Sequence, residues 1–231
     1  MTEQVLELTG ISKSYSTQKI WVPAVSEVNL TIQKATFNAI MGPSGCGKST
    51  LLRMMGLLEP PNSGKLAIMG NQTHTLNQSE LADLRRKHIG FIFQHNNLID
   101  RLDIISNVAL PLIINGVAKQ LARKVAMDAL DVVNLVHRAS HFPIELSGGQ
   151  QQRTAIARSI VKRPELIFAD EPTGNLDTNN STQVLELLSQ LKALGSTIVM
   201  VTHSLEDAHY ADHLIHMRDG TIESDEQIRC D

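Results

Sequence analysis

Apolar and polar positions alternate in two short stretches near the start of the chain, Val5-Leu6-Glu7-Leu8 and Val28-Asn29-Leu30-Thr31-Ile32. A period of two predicts half-exposed antiparallel strands, hence an N-terminal β-layer. Thr36-Phe37-Asn38-Ala39-Ile40-Met41 then runs into a glycine-rich loop, and the apolar residues after it form a helix that stops near Gly56. Two later runs, Leu166-Ile167-Phe168-Ala169 and Thr197-Ile198-Val199-Met200-Val201, are apolar without alternation, as strands covered on both faces of a parallel sheet are. Val184, Leu187, Leu188, Leu191 and Leu194 lie between them at helical spacing, so the segment reads as strand, helix, strand. The predicted fold class is therefore α/β, with a mostly parallel core. From about Asp100 to Arg163 strand signals are few, and Val117, Leu121, Val125, Ala129 and Val133 recur every four residues, which predicts a helical insertion. Ala211 to Thr221 reads as a hairpin turning at Arg218-Asp219-Gly220.

The length of 231 residues suits one domain with an embedded subdomain. The expected organisation is a core from 1–95 and 164–231, including the β-layer, interrupted by a helical subdomain at about 96–163. Hydrophobic residues at 42% and charged residues at 19% exclude a disordered or fibrous chain. Lys+Arg number 21 against 24 Asp+Glu, a formal net charge of −3, so no nucleic-acid partner is expected and any bound anion must be held locally. No apolar run approaches the roughly 18 residues that cross a bilayer. The start, MTEQVLELTG, lacks a basic stretch followed by an apolar core, and Cys46 and Cys230 give no disulfide framework, which makes a reducing cytosol the expected compartment.

Gly42-Pro43-Ser44-Gly45-Cys46-Gly47-Lys48-Ser49 fits G-x-x-x-x-G-K-[ST] after a strand and at the opening of a helix, with Thr50 continuing it. Glycines let backbone N–H groups converge on phosphate oxygens, and the helix N-terminus adds its positive end. Lys48 would reach the β- and γ-phosphates and the Ser49 hydroxyl would ligate Mg²⁺. The strand at 166–169 ends in Asp170 and Glu171, placed where parallel sheets bind ligands: Asp170 to hold the same Mg²⁺, Glu171 to act as general base toward a water. Leu146-Ser147-Gly148-Gly149-Gln150 has a plain reading as a helix start with Ser147 as N-cap, which leaves both glycines unexplained. His209, His213 and His216 invite a metal reading that lacks a completing Cys or carboxylate pair.

LSGGQQQR before the buried strand, GPSGCGKST upstream and DEPTGNLD after it together resemble the nucleotide-binding subunits of ATP-binding cassette (ABC) transporters, along essentially the whole chain. The resemblance implies further roles. Tyr15 matches the aromatic that stacks on adenine, Gln94 the glutamine that ligates Mg²⁺ or orients water, His203 the switch histidine facing the γ-phosphate, and Asp177 the end of the D-loop. It also implies a second copy of the chain, because Ser147, Gly148, Gly149 and Gln150 of one subunit would close over ATP held by the other. Integral membrane permease subunits, and a peripheral position on the cytoplasmic face of the inner membrane, follow in the same way. Gly90-Phe91-Ile92-Phe93-Gln94, Leu110-Pro111-Leu112 and Ala169 to Asp177 resemble the branch serving lipoprotein release and macrolide export, from which Gln94-His95-Asn96-Asn97 and the polar tail after Thr221 depart. An ATPase driving such a complex is the expected function. A soluble ABC ATPase such as an iron–sulfur assembly factor is the alternative, while a phosphate-loop kinase or GTPase lacks support without an N-K-x-D element.

Overall fold

The computed structural model describes residues 3–17 and 20–228. Cys230 lies outside them. In chain order the elements are β1 (Gln4–Thr17), β2 (Ile20–Gln33), β3 (Phe37–Met41), α1 (Lys48–Met55), β4 (Ser63–Ile68), β5 (Asn71–Gln72), α2 (Gln78–His88), β6 (Ile89–Ile92), α3 (Ile104–Ile114), α4 (Lys119–Val132), α5 (Gly148–Ile160), β7 (Leu166–Asp170), α6 (Thr178–Ala193), β8 (Thr197–Val201), α7 (Leu205–Ala208), β9 (His213–Arg218) and β10 (Thr221–Gln227).

They form two sheets. One has the order β2-β1-β4-β5 and is antiparallel throughout; the other has the order β10-β9-β3-β8-β7-β6. In the second sheet β9, β3, β8, β7 and β6 run parallel and only β10 turns back. The mixed architecture is the one the hydrophobic pattern predicts. Strands β3 and β8 are buried at every position because both faces of the parallel sheet are covered. On one face, Leu51, Leu52, Met54 and Met55 of α1 meet Leu6, Ile11 and Ile32 of the antiparallel sheet, with Ile40, Phe168 and Val199 below them. On the other face, Ile198 and Met200 pack with Val184 and Leu188 of α6 and with the cluster of Ile104, Val108, Ala126, Leu130 and Ile156 contributed by α3, α4 and α5.

Several elements exceed or differ from the sequence expectations. The first two strands run for 14 residues each, well past their alternating stretches, because β1 continues pairing through register shifts near Leu8, Ile11 and Lys13. The four-residue series is helical only over α4: Gly116, at φ +82°, breaks the chain before it, and Val133 is its C-cap. The C-terminal hairpin forms with Asp219 (φ +46°) and Gly220 (φ +83°) at its turn, the pair of positive φ values that a two-residue type I′ turn requires. Among the described residues no helix is long and apolar enough to cross a membrane.

Candidate active site

β3 delivers the chain to Gly42 at the carboxyl ends of the parallel strands, and the loop turns into α1 at Lys48. Two glycines are demanded by what lies behind the loop. Gly42 has φ +155° and a Cβ there would sit 2.0 Å from the Met217 carbonyl; Gly47 has φ +100° and a Cβ there would sit 2.0 Å from the Ala24 carbonyl. The loop is thus seated against β9 and β2. The Gly220 N–H donates to the Cys46 carbonyl at 3.0 Å and the Ser26 N–H to the Gly220 carbonyl at 2.8 Å, so the hairpin turn ties loop and β2 together. Cys46 is buried. Lys48 is 6% exposed, and its ammonium donates to the carbonyls of Gly42 (2.7 Å) and Pro43 (2.9 Å), with Cys46 Sγ at 3.8 Å. A phosphate arriving at the loop competes with those two carbonyls for the ammonium's three donors.

Ser49 Oγ donates to Asp170 Oδ1 at 2.9 Å. Loop and strand end, 121 residues apart, therefore meet as an oxygen pair. Burial pushes the Asp170 carboxyl up; the Ser49 bond, Arg53 and Lys48 pull it back down, while the neighbouring Glu171 charge pushes it further up. Among the described residues no group of three or more His, Cys, Asp or Glu converges to hold a metal unaided. A hydroxyl and a carboxylate oxygen at one point nevertheless fit Mg²⁺, a hard cation that keeps several waters and takes oxygens from a bound phosphate.

Glu171 leaves the end of β7 at φ +45°, an uncommon backbone for a non-glycine residue, with its N–H donating to the Val201 carbonyl at 2.9 Å. Its Oε1 lies 3.3 Å from His203 Nδ1. A Cβ at Gly174 would sit 2.9 Å from Gln94 Nε2 and 3.4 Å from Glu171 Oε2, so Gln94 and Glu171 flank the same glycine. Three of the sequence-predicted polar groups thus gather at the ends of β6, β7 and β8. Tyr15 stands beside α1: its hydroxyl donates to Glu59 Oε2 at 2.8 Å, Lys13 Nζ lies 5.6 Å from its ring centroid, and burial pushes its pKa up, against a hydrogen bond with Thr50.

Residues 147–150 are organised differently. Ser147 Oγ accepts from the Gln150 N–H (3.3 Å) and Gln150 Oε1 accepts from the Ser147 N–H (3.1 Å), a capping box that opens α5. A Cβ at Gly149 would sit 2.0 Å from Asn180 Oδ1, so the plain helix-cap reading accounts for the serine and close approach to α6 for one glycine. Asn180 in turn donates from its backbone N–H (2.9 Å) and Nδ2 (2.7 Å) to Asp177, the N-cap of α6, and these bonds hold that carboxyl below its usual range. Among the described residues no hydrogen bond joins 147–150 to the 42–50 loop. The helix they open is instead laced to the segment after β6: Gln152 Nε2 donates to the Phe93 carbonyl (3.3 Å), and Arg158 donates to the carbonyls of Asn96 (2.7 Å) and Asn97 (2.6 Å).

The sequence pattern alone marks Gly220 only as a hairpin turn, and does not single out Arg158 or a buried cluster of Thr173, Thr202 and Asp207 that touches the segments bearing Glu171 and His203. Only spacing around the histidine, with Thr202 one residue before it and Asp207 four after, hints at the last of these.

The family profile described as "ABC transporter" matches residues 25–174. The ABC transporter ATP-binding protein YvrO of Bacillus subtilis is 46% identical over 231 aligned positions, covering 96% of this chain and 97% of that one. The macrolide export ATP-binding/permease protein MacB of Chlorobaculum tepidum is 44% identical over 221 residues, 96% of this chain, which spans 34% of that protein's length. Among solved structures, the dimeric structure of MJ0796, a bacterial ABC transporter cassette, superposes with a TM-score of 0.91 at 39% identity, covering 98% of this chain and all of that one. A dimeric post-hydrolysis state of the same cassette bound to ADP and Pi superposes with a TM-score of 0.90.

Proposed function

The chain belongs to the ABC transporter family as an ATP-hydrolysing cassette, and from that membership we propose that it drives a membrane complex of the macrolide-export and lipoprotein-release type. The observation that carries the catalytic part is the 2.9 Å bond from Ser49 to Asp170, with the Glu171–His203 pair one residue beyond. Loop 42–50 cradles the phosphates of ATP, and Tyr15 stacks on the adenine. Ser49 and Asp170, with Gln94, hold Mg²⁺, which when bound neutralises phosphate charge. Glu171 accepts the proton of the attacking water, and Gln94 orients that water. His203 donates toward the γ-phosphate and, through Nδ1, braces Glu171.

The dimeric relatives support a working unit of two copies in which Ser147, Gly148, Gly149 and Gln150, with Asp177, meet ATP held by the partner. MacB, named for ATP-binding and permease parts together, supports permease subunits as the membrane partners, and the cytoplasmic face is where the cassette would act beside them. Relatives named for macrolide export favour this reading over iron–sulfur assembly. Taking 96–163 as the subdomain that bears the permease contact fits the lacing of α5 to the Gln94 segment, because motion of α5 moves that segment with it.

The test is Glu171→Gln, which keeps the side chain's shape and removes the proton acceptor. Hydrolysis should fall by on the order of 10²–10⁴ with ATP affinity retained, and ATP should now shift the protein from monomer to dimer on size exclusion. Adding Ser147→Arg should abolish the shift. Hydrolysis at the parental rate in Glu171→Gln would remove Glu171 from the reaction.

A further inference from the structure

Asp170 and Val201 are paired across β7 and β8, so the segments that leave these strands, 171–174 and 202–204, start side by side. One carries Glu171 and the other His203. Their side chains approach to 3.3 Å, yet the His203 side chain is 63% exposed and has little surrounding protein to hold it there. Its placement must come through the backbone on either side. Thr202 Oγ1 accepts from the Ser204 N–H at 3.0 Å, Ser204 Oγ accepts from the Asp207 N–H at 3.2 Å, and Thr202 Oγ1 donates to Asp207 Oδ2 at 3.3 Å. The same Oδ2 accepts from Thr173 Oγ1. One carboxylate oxygen therefore bridges the two segments, and Asp207, Thr173 and Thr202 are all buried.

A buried carboxylate is unfavourable unless its hydrogen bonds repay the loss of water. Here the donors are hydroxyls one residue before His203 and two after Glu171. Glu171 itself sits at φ +45°, a conformation that persists only where its surroundings over-determine it. Asp207 closes that frame from the far side.

We infer that Asp207 is a positioning residue for ATP hydrolysis: by binding the hydroxyls of Thr173 and Thr202 together, its carboxylate sets the distance between Glu171 and His203. The inference rests on the reading of those two residues as the hydrolytic pair. It assigns Asp207 no contact with nucleotide. Removing the bridge should leave ATP binding intact and misplace the reacting groups, and a misplacement of about 1 Å costs on the order of 100-fold in rate.

The experiment measures ATP affinity, kcat and melting temperature for the parental chain, Asp207→Ala and Thr173→Val/Thr202→Val, then repeats Asp207→Ala in Glu171→Gln and His203→Ala backgrounds by single-turnover hydrolysis. Expected are a fall in kcat of about 10- to 100-fold with ATP affinity changed less than about twofold, the same loss from the double valine variant, and no further loss when Asp207→Ala is added to either background. If Asp207→Ala does not fold, Asp207→Leu, of similar size and with no oxygen to accept from either hydroxyl, is carried through the same series under the same criteria. Parental kcat in the Asp207 variant overturns the inference. An equal multiplicative loss in every background does so too, because it marks general destabilisation. A parental chain that hydrolyses no ATP would instead overturn the functional reading beneath it.

Discussion

Gly45 and Gly47 share a positive φ but differ in what a side chain would meet, and that difference sets up a controlled comparison. At Gly45 (φ +80°) a Cβ meets nothing within 4 Å, whereas at Gly47 (φ +100°) it would lie 2.0 Å from the Ala24 carbonyl oxygen. Carbon and carbonyl oxygen normally sit roughly 3.3 Å apart, so Gly47→Ala must open the contact by more than an ångström. The neighbour cannot swing aside. It is backbone of β2, and Gly220 backs it from behind, with its own would-be Cβ 3.1 Å from the same oxygen. Left-handed backbone strain of about 1.5 kcal/mol applies to both alanines. Overpacking adds about 2.5 kcal/mol at position 47 only. For a chain of this size each kcal/mol lowers the melting temperature by about 2–4 °C, so Gly45→Ala should melt about 3–6 °C below the parent and Gly47→Ala about 8–16 °C below it. Differential scanning calorimetry without nucleotide measures both. Equal drops would refute the claim that the loop rests rigidly on β2.

Lys48→Ala should abolish tight ATP binding in a fluorescence titration while the free protein stays folded, since the lost bonds to the Gly42 and Pro43 carbonyls are local to the loop; unchanged affinity would contradict the phosphate role. Asp170 predicts an acid-range signature. Burial raises its pKa above the ordinary 3.8, so the folded chain holds this proton more tightly than the unfolded one. Its contribution to stability is therefore greatest below 3.8 and falls as pH rises through the higher folded value. Asp170→Asn should flatten that part of the stability profile in nucleotide-free melts, and Mg²⁺ should bind the parent more weakly as pH drops through the same range.

Features carried by neighbouring residues are legible in the chain's own pattern. The glycine spacing of 42–49, the unbroken apolar runs of β7 and β8, and the Ser147 cap are all local, and each stands where the pattern puts it. β4 gives no comparable signal because Ser63, Gly64 and Lys65 break its apolar run and only Leu66, Ala67 and Ile68 are buried. α2 is equally silent because Leu84 is its one buried residue, leaving no stripe to detect, although Asn77 and Glu80 spell out its capping box. Within the site, the carbonyls that Lys48 grips and the bridge from Asp207 to Thr173 depend on how distant segments come together. That pair stands 34 positions apart with a helix and a strand between, and no periodicity spans the gap.

The seat of the phosphate loop has a consequence for how the protein is made. Residues 42–47 leave the ribosome early, but the surfaces they rest on are Ala24, already present, and Met217 with Gly220, which are synthesised some 170 residues later. β3 likewise waits for β8 and β9 on its two sides. At about 5–20 residues per second, the nascent chain carries its nucleotide motif for roughly ten seconds or more before the hairpin arrives to shape it. Nucleotide binding is in this sense a report that synthesis has passed Gly220: a chain stalled short of Met217 displays every residue of the motif and lacks the wall that holds it.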